Sequence, residues 1–324
     1  MGFAANYLGN MLSTALGRAP RNPLLFSYYV THRCTLRCKF CSDGGGKPFK
    51  DDHCNELDTN GAKKLLNIIS TAADTIDFTG GEPLLREDLT EILRHAKQLK
   101  LRAVLNTRGI GLYAQKEVLE YCDMVVLGLD ALDEKTIGGI TGGGEETGRE
   151  CLAALELIRK RGNKLVLSVV AMPDTLGKTT EILEFALKHK IAFQLSPQLV
   201  GKKVHPALHN NPEYISLIER LIAAKKSGAP ILGIMPYLQN LRSFEPFDCY
   251  PQLMPCIRPD GNMYHPCVEF KTAPVNLLDY PTYKEAVKTL KAPNCKESCQ
   301  IFCHMALSLL QQHPVMALQE GETL

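Results

Sequence analysis

Several common features are missing from this chain of 324 residues, and each absence narrows what it can do. It has almost no net charge. Its 37 basic and 35 acidic residues leave a formal +2 at pH 7, so no global field draws it to nucleic acid. No apolar run approaches the length of a membrane span. The first residues lack a basic leader followed by a clean apolar stretch, which argues against a secretory signal. Asn6 argues against myristoylation. There is also no internal repeat and no low-complexity tract. At 45% hydrophobic and 22% charged residues, the composition is globular. The length suits one large α/β domain and a smaller one.

Cysteine, by contrast, is plentiful. Twelve cysteines without an export signal argue for a reducing, cytoplasmic compartment. There, clustered cysteines are metal ligands or redox groups rather than disulfides. Cys34, Cys38 and Cys41 fall within eight residues, just after an apolar, aromatic run over 24–30 that reads as a strand. A loop leaving a strand end is a usual place for a reactive centre. Three soft thiolates suit iron or an iron–sulfur cluster, whereas a closed zinc site takes four ligands. Three ligands on a four-iron cluster would leave one iron open. A zinc knuckle borrowing a distant ligand, such as His32, is the alternative. Six more cysteines, Cys249, Cys256, Cys267, Cys295, Cys299 and Cys303, crowd into 55 residues near the end. Cys122 and Cys151 sit in apolar settings and read as small core residues. Cys54 is ambiguous.

Residues 1–20 place Phe3, Tyr7, Leu8, Met11, Leu12 and Leu16 at a helical period. This is a helix docked on the main domain or, with Arg18 and Arg21 near its end, one lying weakly on a membrane surface. A polar stretch over 42–48 reads as flexible. Strands are predicted over 24–30, 75–79, 102–107, 123–130, 164–171 and 192–196. Helices are predicted over 58–71, 87–99, 114–121, 147–161 and 179–190, with 138–144 as loop. Six strands alternating with helices imply a parallel sheet with right-handed crossovers. Six units fall short of the eight of a full barrel, so the fold class is α/β, a partial (β/α)6 TIM-like barrel. In such folds chemistry sits at the C-terminal ends of the strands. The cysteine loop, Gly80-Gly81-Glu82-Pro83, Asn106-Thr107, Asp130 and Ser196 all fall there. After Gly201 the alternation lapses, with one further helix over 211–227. From Phe244 the chain turns to Pro, Cys and turn residues, and Pro259-Asp260-Gly261 marks a hairpin. This reads as a small domain held by metal rather than by core. The predicted division is an amphipathic segment 1–22, the barrel 23–235 and a cysteine-rich domain 236–324.

The pattern Cys34-x3-Cys38-x-Phe40-Cys41, followed one βα unit later by Gly80-Gly81-Glu82-Pro83, closely resembles the radical S-adenosylmethionine (SAM) enzymes. The resemblance covers about residues 23–200 and continues beyond. It implies that Cys34, Cys38 and Cys41 hold a [4Fe–4S] cluster whose open iron binds the amino and carboxylate groups of SAM. Gly80 and Gly81 would let backbone approach closely. The loop and Glu82 would receive the methionine ammonium, and Pro83 would fix the turn. A plain strand–helix connection is the alternative for this loop. Asn106-Thr107-Arg108-Gly109 resembles the family's Thr-Asn-Gly strand end with its order altered. Leu127-Gly128-Leu129-Asp130 resembles the Ser-x-Asp-Gly strand end that meets the ribose. Here Gly128 replaces the Ser and Ala131 the Gly, leaving Asp130 to accept from the ribose hydroxyls or to cap a helix. Ser168 and Gln194 are weaker candidates for the same wall.

The later cysteines resemble the auxiliary-cluster domain called SPASM, or its shorter form, twitch. A Cys precedes and another follows the Pro-Asp-Gly hairpin, although 295–303 departs from the usual spacing. Six cysteines are too few for two fully ligated four-iron clusters. One auxiliary [4Fe–4S] cluster is the simplest count, on Cys249, Cys256, Cys267 and one of Cys295, Cys299 and Cys303, with a second cluster that keeps an open site as the alternative. His265 and His304 are possible substitutes, and a four-cysteine zinc site is the alternative. The implied activity is reductive cleavage of SAM to a 5′-deoxyadenosyl radical, which takes a hydrogen atom from the substrate. An auxiliary cluster favours net oxidation or cross-linking over isomerisation. A donor such as flavodoxin or ferredoxin would supply the electron. The substrate class, whether peptide, lipid or small molecule, is not legible. No peptide-recognition domain fits before Leu24, and no residue identifies itself as a catalytic acid or base. A non-catalytic iron–sulfur carrier and a zinc-stabilised binding protein are the rival readings.

Overall fold

Alternation of side chains along each apolar run decides the architecture. The computed structural model describes residues 2–41, 54–268, 272, 275–291, 295–296 and 299–320; the polar stretch 42–48 lies outside them. Six strands run parallel and side by side in chain order: β1 Phe26–Thr31, β2 Thr75–Gly80, β3 Arg102–Thr107, β4 Met124–Gly128, β5 Lys164–Ala171 and β6 Ala192–Pro197. Phe26, Tyr28, Val30, Ile76, Phe78, Ala103, Leu105, Val125 and Leu127 are fully buried in the core. The residues between them, Ser27, Asp77, Asn106 and Ser168 among others, belong to the opposite face of the sheet. The fold is the partial (β/α)6 barrel that the alternation implies.

Helices α1 Phe3–Ala15, α2 Thr59–Ser70, α3 Leu89–Gln98, α4 Glu134–Thr141, α5 Gly144–Arg161 and α6 Leu176–His189 come before and between these strands. In α2 the Asp58 carboxylate accepts from the Gly61 N–H at 2.7 Å, and Ala62, Leu65, Leu66, Ile68 and Ile69 are buried. Two expectations need correction. Residues 116–120 form only a short 3-10 turn burying Val118 and Leu119, too few apolar residues for an amphipathic helix. Residues 138–141, expected as loop, close helix α4. A Cβ on Gly138 would lie 2.3 Å from the Gly144 carbonyl carbon. That glycine is there for close packing against the start of α5, which offsets its poor helix propensity of about 1 kcal/mol.

Helix α1 docks by its polar side. The Asn6 amide donates to the Pro23 and Ala72 carbonyls at 2.7 Å each, and the Tyr7 hydroxyl donates to the Leu310 carbonyl at 3.1 Å. The Asn10 side chain donates to the Asn22 carbonyl and accepts from the Arg21 and Asn22 amides. The apolar period seen in the sequence therefore splits. Phe3, Tyr7 and Met11 pack inward, while Leu8, Leu12 and Leu16 are 60–65% exposed.

Beyond β6, the pair β7 Leu199–Val200 and β8 Lys203–Val204 precedes helices α7 Pro212–Lys226 and α8 Met235–Ser243. The cysteine-rich part then rejoins the sheet. Strand β9 Cys256–Ile257 runs parallel to β1 with Cys256 opposite Ser27, and β10 Asn262–Met263 and β11 Val275–Asn276 follow antiparallel. The turn has Gly261 at φ +83° and its N–H bonded to the Arg258 carbonyl. Helices α9 Tyr283–Ala286, α10 Phe302–Gln312 and α11 Pro314–Glu320 complete the order. Leu253, Ile257, Leu277, Met305 and Leu310 belong to the same buried core as the barrel. The reading that metal rather than core holds this part is thus corrected: its strands lengthen one sheet to nine. No described helix is long and apolar enough to cross a membrane.

Candidate active site

The first cysteine loop is fastened to the end of β2 by backbone. The Gly81 N–H donates to the Thr31 carbonyl, and the Glu82 N–H donates to the Arg33 carbonyl, both at 2.9 Å. A Cβ on Gly80 would lie 2.1 Å from the Thr31 oxygen, and one on Gly81 would lie 2.1 Å from the Arg33 oxygen. Gly80 also has φ +134°. The two glycines therefore let β2 press against the residues that deliver Cys34. Arg86 adds a brace: its guanidinium donates to the Val30 carbonyl at 2.9 Å and pairs with Asp88. Pro83 opens a 3-10 turn, so the expected fixed turn after Glu82 is present.

Glu82 is 1% exposed, and its carboxylate binds strand ends together. It accepts from the Leu84 N–H at 3.2 Å, the Thr107 hydroxyl at 2.5 Å and the Arg108 N–H at 2.9 Å. Burial pushes its pKa up, and these donors oppose the shift. Hydrogen bonds to a charged group contribute about 1.5–3 kcal/mol each. Glu82 is thus first a bracket joining β2 to β3, with acceptor capacity left for a cofactor ammonium.

A cavity of about 190 Å³ opens at these strand ends, lined by Cys34, Cys38, Phe40, Cys41, Gly80–Glu82 backbone and, from later strands, Asn106, Thr107, Arg108, Gly128 and Ser168. Convergence of the cysteine loop, the glycine loop and β3 to β5 at one place agrees with the motif order. Gln194 does not line it. His32, the distant zinc ligand considered above, sits with its Nδ1 3.8 Å from the Cys54 sulfur instead. Burial pushes the Cys34 and Cys38 thiols up, while Arg108 opposes it.

Asp130 departs from its expected place. It is 1% exposed and does not line the cavity. Its Oδ1 accepts from the Val170 N–H at 3.1 Å, and its Oδ2 lies 2.5 Å from an Arg108 nitrogen. Nor does it cap a helix, since Asp133 caps α4. The group presented to the cavity is Arg108, whose guanidinium stands 5.0 Å over the Phe40 ring. Burial would lower its pKa, but the Asp130 and Cys38 charges raise it, so Arg108 stays a cation. A Cβ on Gly128 would lie 3.3 Å from the Arg108 Nε. The glycine that replaces the family's Ser therefore makes room for this arginine, and the two departures explain each other. Arg108 was visible in the altered strand-end sequence, but nothing there marked it as facing inward.

The later cysteines fall into two neighbourhoods. Cys249 and Cys295 exchange backbone hydrogen bonds at 2.8 and 3.2 Å. The Cys249 thiol is pushed up by burial, then by the charges of Cys299, Cys295 and Cys267. Cys256 instead faces His304, its sulfur 3.9 Å from Nε2, and burial lowers that imidazole to about 4. Cys303 is near Asp77. Cys122 and Cys151 are core residues, as expected, with thiols raised to about 12. Among the described residues, no three His, Cys, Asp or Glu side chains converge closely enough for a single metal ion.

Comparison with known proteins gives this geometry its class. Residues 28–186 match the model of the Radical SAM superfamily, and that stretch is a radical SAM domain. Enzymes of this superfamily bind a [4Fe–4S] cluster and SAM. The donor set fits: three thiols from one loop, a glycine cradle that a Cβ would fill, and no fourth Cys or His among the described cavity residues. Over 173 residues the chain is 31% identical to a Probable GTP 3',8-cyclase of Methanococcus aeolicus, covering 51% of this chain and 56% of that protein. It therefore spans little more than half of that relative's length. The crystal structure of Streptococcus suis SuiB bound to S-adenosylmethionine shares the fold, with a TM-score of 0.61 at 16% identity over 89% of this chain and 74% of that one. Native anSMEcpe with bound AdoMet and Cp18Cys peptide gives 0.62 at 20% over 82% and 80%.

Proposed function

We propose that this chain carries out a SAM-dependent radical oxidation or cross-linking of its substrate, with Cys34, Cys38 and Cys41 as ligands of the SAM cluster. The observation that carries the reading is the meeting of those three thiols with the Gly80–Gly81 backbone, Glu82 and Arg108 around one cavity. When bound, the cluster and SAM supply one-electron cleavage to methionine and a 5′-deoxyadenosyl radical that removes a substrate hydrogen. The chain's own part is positioning. The Gly80 and Gly81 carbonyls and the spare acceptor capacity of Glu82 take the methionine ammonium. Arg108, fixed by Asp130 and Phe40, sets a cation and a flat surface on the β3 side. Thr107 and Ser168 offer hydroxyls to the nucleoside part.

Cys249, Cys267, Cys295 and Cys299 are the set that the packing favours for one auxiliary [4Fe–4S] cluster, which would collect the electron left by the substrate radical. The position of this region on the edge of β1 supports such a relay. A peptide side chain is the favoured substrate class, because anSMEcpe, alike in fold over most of this chain, holds a peptide beside AdoMet. The nucleotide implied by the cyclase relative is the rival. A flavodoxin or ferredoxin would deliver the first electron.

Anaerobic reconstitution tests the assignment. The wild type should bind about eight irons, as two four-iron clusters require, and release 5′-deoxyadenosine from SAM when reduced. Cys38→Ala should abolish that release. Cys267→Ala should spare release and lose substrate turnover. Iron without SAM cleavage would leave an electron carrier, and colourless zinc protein would leave a binding module.

A further inference from the structure

A second cavity, of about 500 Å³, lies beside helix α1, away from the cysteine loop. Its walls come from α1, from the segment leading into β1, from the β9–β10 hairpin and from the stretch around α9. Four permanent cations stand on it, Arg21, Lys284, Lys288 and Lys291, and no acidic side chain lines it among the described residues. Tyr264, Tyr283, Val287 and Leu290 give it an apolar lining. Two side-chain acceptors in its wall lack partners: Oδ1 of Asn6 and Oε1 of Gln252 are buried without a hydrogen bond. The amide ends of both are already spent, on the Pro23 and Ala72 carbonyls and on the Pro20 carbonyl. Asn6 is 1% exposed. A buried orphan acceptor costs about 1–3 kcal/mol, so a guest hydroxyl that reached either oxygen, both now closed to water, would gain by donating to it. Cations, an apolar wall and two waiting acceptors describe a receptor for a phosphate ester that carries hydroxyls and a hydrocarbon body.

Helix α1 says where such a guest would come from. Asn6, Tyr7 and Asn10 face the protein. Leu8, Leu12 and Leu16, one turn apart, are 60–65% exposed on the other side. The helix has no charged residue, Arg18 and Arg21 follow it, and the first acidic residue of the chain is Asp43. An uncharged helix with an outward leucine stripe and basic residues at its end suits the interface of an anionic bilayer. The same helix thus offers leucines to a membrane and Asn6 to the cavity behind it.

We propose that this cavity receives the polyol-phosphate headgroup of an anionic membrane lipid, with α1 resting its leucines on the bilayer. The site is separate from the SAM cavity and does not depend on the reaction assigned there.

Sedimentation with vesicles tests it on the full chain. Binding is expected to vesicles that mix phosphatidylcholine with an equal amount of phosphatidylglycerol, and not to phosphatidylcholine alone. Replacing the exposed rim as Lys284→Gln, Lys288→Gln and Lys291→Gln together should weaken that binding by roughly a hundredfold, about one basic contact each. Leu8→Asn with Leu12→Asn should release the protein from vesicles but leave its calorimetric affinity for soluble dihexanoyl phosphatidylglycerol unchanged. The triple lysine variant should lose that affinity too. Equal binding to both vesicle types, or wild-type binding by the triple variant, would overturn the proposal. So would vesicle binding without affinity for the short-chain lipid, which would leave α1 as the whole contact. Short-chain lipid bound no more tightly than inorganic phosphate would reduce the cavity to an anion trap and sink the headgroup assignment.

Discussion

The two cysteine regions are held in different ways. Cys34, Cys38 and Cys41 hang from a strand whose neighbours fix it by backbone and by buried charge. Thr31, Arg33, Gly81, Glu82, Thr107 and Arg108 form one continuous set of hydrogen bonds across β1, β2 and β3. The later cysteines sit on two-residue strands, turns and helix starts. Among the described residues, their longest shared scaffold is a single bridge between Cys249 and Cys295. The first region can thus be shaped before any metal arrives. The second has the apolar core behind it but little local backbone pairing, so bound metal would contribute more of its order.

Removing iron should break the comparison most visibly. Amides at 249, 256, 263 and 295 should lose most of their hydrogen-exchange protection in chelated protein, while those of β2 and β3 keep theirs. Equal loss in both regions would mean that the barrel site is just as metal-dependent. Next in size is Arg108→Met, which strands Asp130 as a buried charge and should cost about 3–5 kcal/mol in denaturant unfolding. Arg108→Met with Asp130→Leu should recover much of that, since the cost lies in the unpaired charge. A smaller effect is expected from Gly81→Ala. The clash with the Arg33 carbonyl should cost about 1–3 kcal/mol and slow SAM cleavage, because the loop carrying Cys34 must shift.

The last test concerns Asp77, on β2. Burial raises its pKa from 3.8 to about 7, with one hydrogen bond from Ser27 opposing. The folded state therefore holds a proton that the unfolded state releases. Wild-type stability should fall as pH rises between about 4 and about 7 from this group, and level off above. Asp77→Asn should flatten that slope in melts across the same window. An unchanged slope would show that Asp77 ionises in the folded state as it does in the unfolded one.

The legible part of this molecule was what short spacing encodes. Strand ends, the cysteine triplet and the Gly-Gly-Glu-Pro loop are local patterns, and the parallel order followed from their alternation. What sequence concealed depends on contacts between distant residues. Nothing near Asp130 announces that Arg108 will occupy it, or that Gly128 leaves the space. Two adjacent glycines at 138 and 139 resemble a loop until helix α5 is placed against Gly138. The apolar period of α1 was real, yet two asparagines, not its leucines, fasten the helix.

The attachment of β9 to β1 also has a consequence for synthesis. Until residues 256–257 emerge, the outer side of β1 is an unshielded sheet edge bearing Tyr28 and Val30. At about 5–20 residues per second, that interval lasts on the order of ten seconds or more. A nascent chain stalled in this window would expose a strand able to pair with another copy. Truncation before the hairpin should therefore give protein prone to self-association even though every strand of the barrel is present.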